Sequence, residues 1–255
     1  MTTHVRQWLG SIAFTIYLFL SVPVYGAVAL LSAVLPHAAT YGIARHWVRS
    51  VLRLLRWLCG LDYVVEGREH LPAGSAVVLM KHSSAWETLA QLEIFPLQTW
   101  VLKRELMLIP IFGWALRLLK PIAIDRRGGS AAVQQVLTQG RARLDEGLWV
   151  VIFPEGTRVP AGETRRYGLS GALLASSTSR PVVPVAHNAG EFWPRRGLLK
   201  RRGTVRVVIG PPIATDGVDP RVVNERAQAW IEGKVAEITG RPVARADRPT
   251  RATAA

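Results

Sequence analysis

From Trp8 to Leu35 the chain carries no charged side chain and is rich in Leu, Ile, Val, Phe and Ala. A run of this length is long enough to span a bilayer as a helix. A secretory signal would have a shorter apolar core followed by a small-residue cleavage site. Tyr25-Gly26-Ala27 lies inside the unbroken apolar run and makes a poor site, so the segment is read as retained. Pro23, near its middle, permits either a kinked span or a helical hairpin that dips into one leaflet.

No Asp or Glu precedes Asp62. The next segment, about Thr40 to Cys59, reads as a helix in which Arg45, Arg49, Arg53 and Arg56 share one face. Trp47, Val51, Leu54, Leu55 and Leu58 supply its apolar side. A basic amphipathic helix with tryptophans suits the headgroup layer of an anionic membrane. Over the whole chain 32 Lys and Arg stand against 18 Asp and Glu, a formal charge of +14, which points to an anionic partner. Nucleic acid would answer to the charge but not to the uncharged apolar segment, and no nucleic-acid-binding motif is present. The single cysteine, Cys59, excludes an internal disulfide and fits a reducing compartment. There is no Cys/His array, so no metal site is expected.

Beyond residue 60, short apolar runs alternate with helical patterns. Strands are expected within Asp62–Met80 (with Leu71–Ser75 as the turn), at Thr99–Leu102, Ile122–Ile124, Trp149–Phe153, Val182–Ala186 and Thr204–Ile209. Helices are expected at Ser84–Glu93, Glu105–Leu119 (interrupted at Pro110), Ser130–Glu146, Ser170–Thr178 and Asp219–Thr239, with a charged turn at Asp125–Arg127. The alternation predicts an α/β fold, a central mixed β-sheet flanked by helices, preceded by a membrane-embedded or interfacial helical segment. The expected division is residues 1–60 as membrane anchor, 61–240 as the catalytic domain and 241–255 as a disordered basic tail.

Two polar clusters follow strands. The first is Lys81-His82-Ser83-Ser84-Ala85-Trp86-Glu87, in which a carboxylate follows the histidine by one helical turn and can orient it as a base. The second is Phe153-Pro154-Glu155-Gly156-Thr157-Arg158. It offers a glycine for close backbone approach, a hydroxyl, and a guanidinium able to grip phosphate with two hydrogen bonds. It lacks the pattern of a Walker loop. A third piece, Lys103-Arg104-Glu105-Leu106 through Pro110 to Gly113, adds cations after another strand. In open α/β sheets such groups converge in the crevice at the strand ends.

Together these residues resemble the glycerolipid acyltransferase family, which includes the bacterial 1-acylglycerol-3-phosphate acyltransferases. The resemblance rests on His82…Glu87, Lys103…Pro110…Gly113, Phe153–Arg158 and Val183-Pro184-Val185-Ala186, in that order. Its first-motif carboxylate is Glu87 where the family carries Asp. The resemblance implies transfer of a fatty acyl group from acyl-CoA or acylated carrier protein to the 2-hydroxyl of lysophosphatidic acid, giving phosphatidic acid with no cofactor. His82 would be the general base and Glu87 its orienting partner. Arg158 and Lys103 would hold the substrate phosphate in a pocket shaped by Gly156 and Thr157, with Glu155 orienting a cation or capping the loop. Direct transfer is favoured over an acyl-enzyme on Ser83 or Ser84. His187 is assigned a structural place. Trp193-Pro194-Arg195-Arg196 with Lys200-Arg201-Arg202 would lie against the membrane or guide the anionic donor. The expected location is the cytoplasmic membrane, with the catalytic domain facing the cytoplasm. The alternatives are acyl transfer to another lysolipid, such as a lyso-ornithine lipid, and a non-catalytic lipid-binding protein.

Overall fold

The computed structural model describes residues 2–125 and 128–245. Two long helices come first, α1 (Thr2–Leu31) and α2 (His37–Cys59). Seven strands form one sheet: β1 (Leu61–Glu66), β2 (Val77–Met80), β3 (Gln98–Lys103), β4 (Ile122–Ile124), β5 (Trp149–Ile152), β7 (Val182–His187) and β8 (Gly203–Ile209). A separate two-stranded ladder pairs β6 (Glu163–Thr164) with β9 (Ala244–Arg245). The connecting helices are α3 (Trp86–Ile94), α4 (Phe112–Leu118), α5 (Ser130–Asp145), α6 (Ser170–Ser177), α7 (Ala189–Phe192) and α8 (Pro220–Thr239).

The sheet order is β1-β8-β7-β2-β5-β3-β4, parallel throughout except for the antiparallel pair β7–β8. It is mixed, as expected. The central strands are buried on both faces, which is why they read as continuous apolar runs. Side chains alternate along each strand. Val77 and Leu79 of β2 enter a core with Val136 and Leu144 of α5, Leu174 of α6 and Ile231 of α8. Val78 and Met80 enter the opposite core, with Phe14 of α1, Val51 and Leu55 of α2, and Trp86 of α3. The N-terminal helices therefore share one face of the sheet, and its core, with α3 and α4.

The N-terminal segment reverses where the sequence had not placed a turn. α1 runs unbroken through Pro23, and the chain turns back over residues 32–36, so the returning arm of the hairpin is α2 itself. Pro23 removes one backbone donor from α1 without ending it. Polar side chains tie the arms together: Tyr17 Oη to Ser50 Oγ at 2.7 Å, Trp47 Nε1–H to Ser21 Oγ at 2.9 Å, and Ser32 Oγ to Thr40 Oγ1 at 3.1 Å. Arg45 and Arg49 both pair with Glu93 of α3 and Arg56 pairs with Asp62, so much of the charge on the basic face of α2 is paired within the protein. α8 begins at an Asp219 cap that accepts the Arg221 N–H, with Pro220 in the first turn. Of the stretch 241–255, Ala244–Arg245 pairs with Glu163–Thr164 and residues 246–255 lie outside the described set. The turn expected at Asp125–Arg127 falls partly on Arg126 and Arg127, which are also outside it.

Candidate active site

β2, β3, β5 and β7 run parallel, so their carboxyl ends meet at one edge of the sheet. Lys81 and His82 leave β2 there, Phe153 to Arg158 leave β5, Lys103 ends β3 and His187 ends β7. The side-chain alternation that sends Val78 and Met80 toward the helical hairpin brings His82 out on the same side.

His82 Nδ1 lies 2.9 Å from Glu87 Oε1. The same oxygen accepts the backbone N–H of Ser83 at 2.8 Å and of Ser84 at 2.7 Å. Glu87 stands in the first turn of α3, where backbone N–H groups and the helix dipole favour an anion. Burial of this carboxyl opposes ionisation, but His187, His82 and the Ser84 N–H outweigh it and hold Glu87 below the ordinary carboxyl value. An ionised Glu87 has no proton to donate, so His82 carries its proton on Nδ1 and Nε2 is the basic nitrogen. The ring is stacked on Phe153, 4.3 Å between centroids at 24°. The carboxylate in this place is that of Glu87, and its Oε1 serves the imidazole and the two amides together.

Ser84 is fully buried. Its Oγ–H donates to the Trp193 carbonyl at 2.6 Å and its oxygen accepts the Trp86 N–H at 3.1 Å. That hydroxyl shapes the turn into α3 and points away from nucleophilic chemistry. His187 donates Nε2–H to the Lys81 carbonyl at 2.7 Å and accepts the Ala189 N–H on Nδ1 at 3.2 Å. Its Nε2 also lies 3.9 Å from Glu87 Oε2. Burial holds its pKa below the ordinary histidine value, against the pull of Glu87.

The Phe153–Arg158 turn wraps around the backbone of His82. Val159 N–H donates to the His82 carbonyl at 2.8 Å. Glu155 is buried behind the histidine: one oxygen pairs with the Lys81 ammonium and the other accepts the His82 N–H at 2.6 Å. Glu155 therefore joins the Lys81 ammonium to the His82 backbone. Gly156 adopts φ +69°, a left-handed conformation that favours glycine, and its N–H closes the turn on the Phe153 carbonyl at 3.0 Å. Thr157 is half-buried beside it. Arg158 lines the same cavity as His82, and its carbonyl accepts the Arg195 guanidinium at 3.0 Å.

Lys103 is placed differently from the expectation that joined it to Arg158. Its side chain is half-exposed, pairs with Glu105 at 2.9 Å, and stands outside the cavity lining. The rest of its motif shapes the cavity wall. Pro110-Ile111-Phe112 makes a tight γ-turn, with Ile111 at φ 62°, ψ −59° and a Phe112 N–H to Pro110 carbonyl contact of 2.6 Å. A Cβ on Gly113 would stand 2.4 Å from the Met107 carbonyl oxygen, so only glycine fits.

From His82 and Arg158 a cavity of about 360 Å³ runs between the helices. Val22, Tyr25 and Ala29 of α1, Ile43 and Trp47 of α2, Leu89 and Leu92 of α3, and Phe112 and Leu116 of α4 line it. Its volume lies within the range of small-molecule sites, and its wall is almost wholly apolar. A base at the mouth of a lipid-like pocket, with a guanidinium beside it, suits transfer of an acyl chain to an alcohol that carries an anionic group.

Residues 62–188 match the acyltransferase family, and the chain belongs to that family. It is 42% identical to the 1-acyl-sn-glycerol-3-phosphate acyltransferase of Pseudomonas aeruginosa, over 91% of this chain and 93% of that protein. It is 28% identical to the human 1-acyl-sn-glycerol-3-phosphate acyltransferase alpha, over 68% of this chain and 62% of that one. In fold it matches the crystal structure of the 1-acyl-sn-glycerophosphate acyltransferase of Thermotoga maritima, at TM-score 0.78 and 21% identity, over 93% of this chain and 98% of the other.

Lys81 and Phe153 had no expected role of their own, and Arg195, expected at the membrane or the donor, also contacts the Arg158 carbonyl. Lys81 and Phe153 lie inside the quoted motifs, and a lysine directly after a fully apolar strand was the signal that Lys81 is buried and paired. The Arg195 contact joins distant loops, and nothing local in the sequence announces it.

Proposed function

We propose that the protein transfers a fatty acyl group from an acyl thioester to the 2-hydroxyl of 1-acylglycerol-3-phosphate, forming phosphatidic acid. The observation that carries this reading is the His82–Glu87 pair opening, with Arg158, onto the apolar cavity. His82 Nε2 takes the proton of the 2-hydroxyl as its oxygen attacks the thioester carbon. Glu87 stabilises the imidazolium that forms. Collapse of the tetrahedral adduct breaks the carbon–sulfur bond, and the imidazolium returns its proton to the departing thiolate. The buried, hydrogen-bonded Ser84 hydroxyl supports direct transfer without an acyl-enzyme.

Arg158 grips the acceptor phosphate with both arms of its guanidinium. Gly156 and Thr157 shape the loop that presents it, and Glu155 acts on that pocket through the backbone. Lys103 joins the phosphate by turning from Glu105. The donor is acyl-CoA or acylated carrier protein, both anionic, which suits the basic stretch around Arg195 and Arg201.

Residues 1–60 seat the enzyme in lipid and residues 61–240 carry catalysis. Leu9, Ile12, Ile16, Phe19, Leu20, Val24, Val28 and Leu31 expose an apolar stripe along the whole of α1, and Trp57 adds to it from α2. The opposite side of α1, with Ser11 and Phe14, is buried against the rest of the fold. One wet-free face and one packed face suit a hairpin laid into a single leaflet better than a helix crossing it. The leaflet is the cytoplasmic one in this reading, since Arg45 to Arg56 flank the segment.

Phosphatidic acid formation by the detergent-purified protein, with 1-acylglycerol-3-phosphate and lyso-ornithine lipid offered as rival acceptors, tests the assignment. Selective acylation of the phosphate-bearing acceptor is expected. Preference for the phosphate-free one would contradict the role given to Arg158.

A further inference from the structure

Behind the catalytic histidine lies a buried ion pair that the acyl-transfer chemistry itself does not use. The Lys81 side chain is 3% exposed and that of Glu155 fully buried. Lys81 Nζ donates to Glu155 Oε1 and, at 2.8 Å, to the Glu163 carbonyl. Glu155 Oε2 accepts the His82 N–H at 2.6 Å. The Lys81 carbonyl accepts from His187, and the Lys81 N–H is bound by the Val185 carbonyl at 3.0 Å. A buried pair of this kind adds little or nothing to net stability compared with apolar side chains of similar size. Its presence one residue from His82 therefore asks for another explanation.

We propose that Lys81 is a positioning residue for the acyl transfer: its ammonium favours the ionised form of Glu155, and the Glu155 carboxylate anchors the His82 backbone so that Nε2 is aimed at the acceptor hydroxyl. The inference rests on His82 as the general base. Glu155 faces Lys81 from the end of β2, Glu87 from α3, and Tyr167 ahead of α6, while His187 from β7 faces Lys81 and Glu87. Lys81 is the cation among them, opposed by the buried carboxylate of Glu87. Burial pushes Glu155 up to about 7 even with Lys81 pulling it down. Without the ammonium, Glu155 takes a proton at higher pH and its hold on His82 weakens there. A merely structural Lys81 would change the yield of folded protein and leave the shape of the pH profile alone.

The test is the pH dependence of kcat/KM for thiol release from palmitoyl-CoA with 1-acylglycerol-3-phosphate, in wild type, Lys81→Met, Lys81→Met/Glu155→Gln and His82→Ala. Removing an opposite charge at this range moves a carboxyl by about 1–3 pH units. The acid limb of Lys81→Met is therefore expected to move upward by about that much. Activity at pH near 6.5 should fall roughly tenfold or more. In the double variant a neutral glutamine oxygen accepts the His82 N–H and needs no cation, so the upward displacement is expected to vanish, with the limb at or below its wild-type position. A Lys81→Met limb that superimposes on the wild-type limb overturns the proposal, as does a double variant that stays displaced. Should Lys81→Met fail to fold, the double variant decides alone: a limb at or below the wild-type position supports the proposal and an upward-displaced limb overturns it. A His82→Ala protein as active as wild type overturns the base assignment and this inference with it. An inactive His82→Ala beside an unmoved Lys81→Met limb overturns this inference only.

Discussion

Glu87 serves three donors at once, and its charge sets the tautomer of His82. Glu87→Gln keeps the shape but removes the charge that stabilises the imidazolium. Its kcat is expected to fall by at least about 10²-fold with little change in KM. Steady-state kinetics checks this, and a KM effect alone would contradict it. His187 gives a stability signature. Its folded pKa lies below the ordinary value of 6.5, so as pH drops through that value the unfolded chain gains a proton that the folded chain refuses. This contribution is constant above 6.5 and falls away below it. His187→Gln lacks it, so Tm between pH about 7.5 and about 5.5 is expected to fall less steeply in the variant than in wild type. Parallel Tm curves would contradict the assignment. His82, Glu87 and Arg158 were legible because each stands in a dense polar cluster directly after an apolar strand. Lys103 was grouped with them because it also ends a strand, but sequence does not reveal that Glu105, two residues on, takes its ammonium.

Most elements follow from the alternation of apolar runs and helical patterns, with boundaries shifted by a few residues. The hairpin is the exception. Pro23 drew attention as the point of reversal, yet the helix continues through it and turns at residues 32–36. A proline's missing donor is visible in the sequence, whereas the helix packed alongside is not. The Lys103…Gly113 stretch shows the same limit: its glycine is demanded by a carbonyl oxygen six residues earlier. Gly113→Ala pushes a methyl into that oxygen and is expected to cost about 1–3 kcal/mol. Denaturant unfolding in detergent measures it, and an unchanged midpoint would contradict the tight packing of α4 against the preceding turn.

At the scale of the molecule, one face of the sheet is covered by α5, α6 and α8 and the other by the N-terminal hairpin with α3 and α4, with the candidate site at the strand ends and the cavity among the helices of the second face. The α/β architecture was readable from the sequence, but the cavity was not. Its walls come from α1, α2, α3, α4 and the end of β3, and only their packing creates the space. Ala29 lines it and is buried. Ala29→Phe narrows the space available to an acyl chain. The ratio of kcat/KM for long over short acyl donors is expected to fall roughly 10-fold, the worth of about 1.4 kcal/mol of lost apolar contact. An unchanged ratio would place the chain elsewhere.

Thiol release from acyl-CoA by the detergent-purified protein, with and without 1-acylglycerol-3-phosphate and beside His82→Ala, joins residue, site and reaction in one assay. The expected result is release that requires the acceptor and falls by about 10²–10⁴-fold in the variant. Release of equal rate in the variant would contradict the assignment of His82 as the base of an acyl transfer.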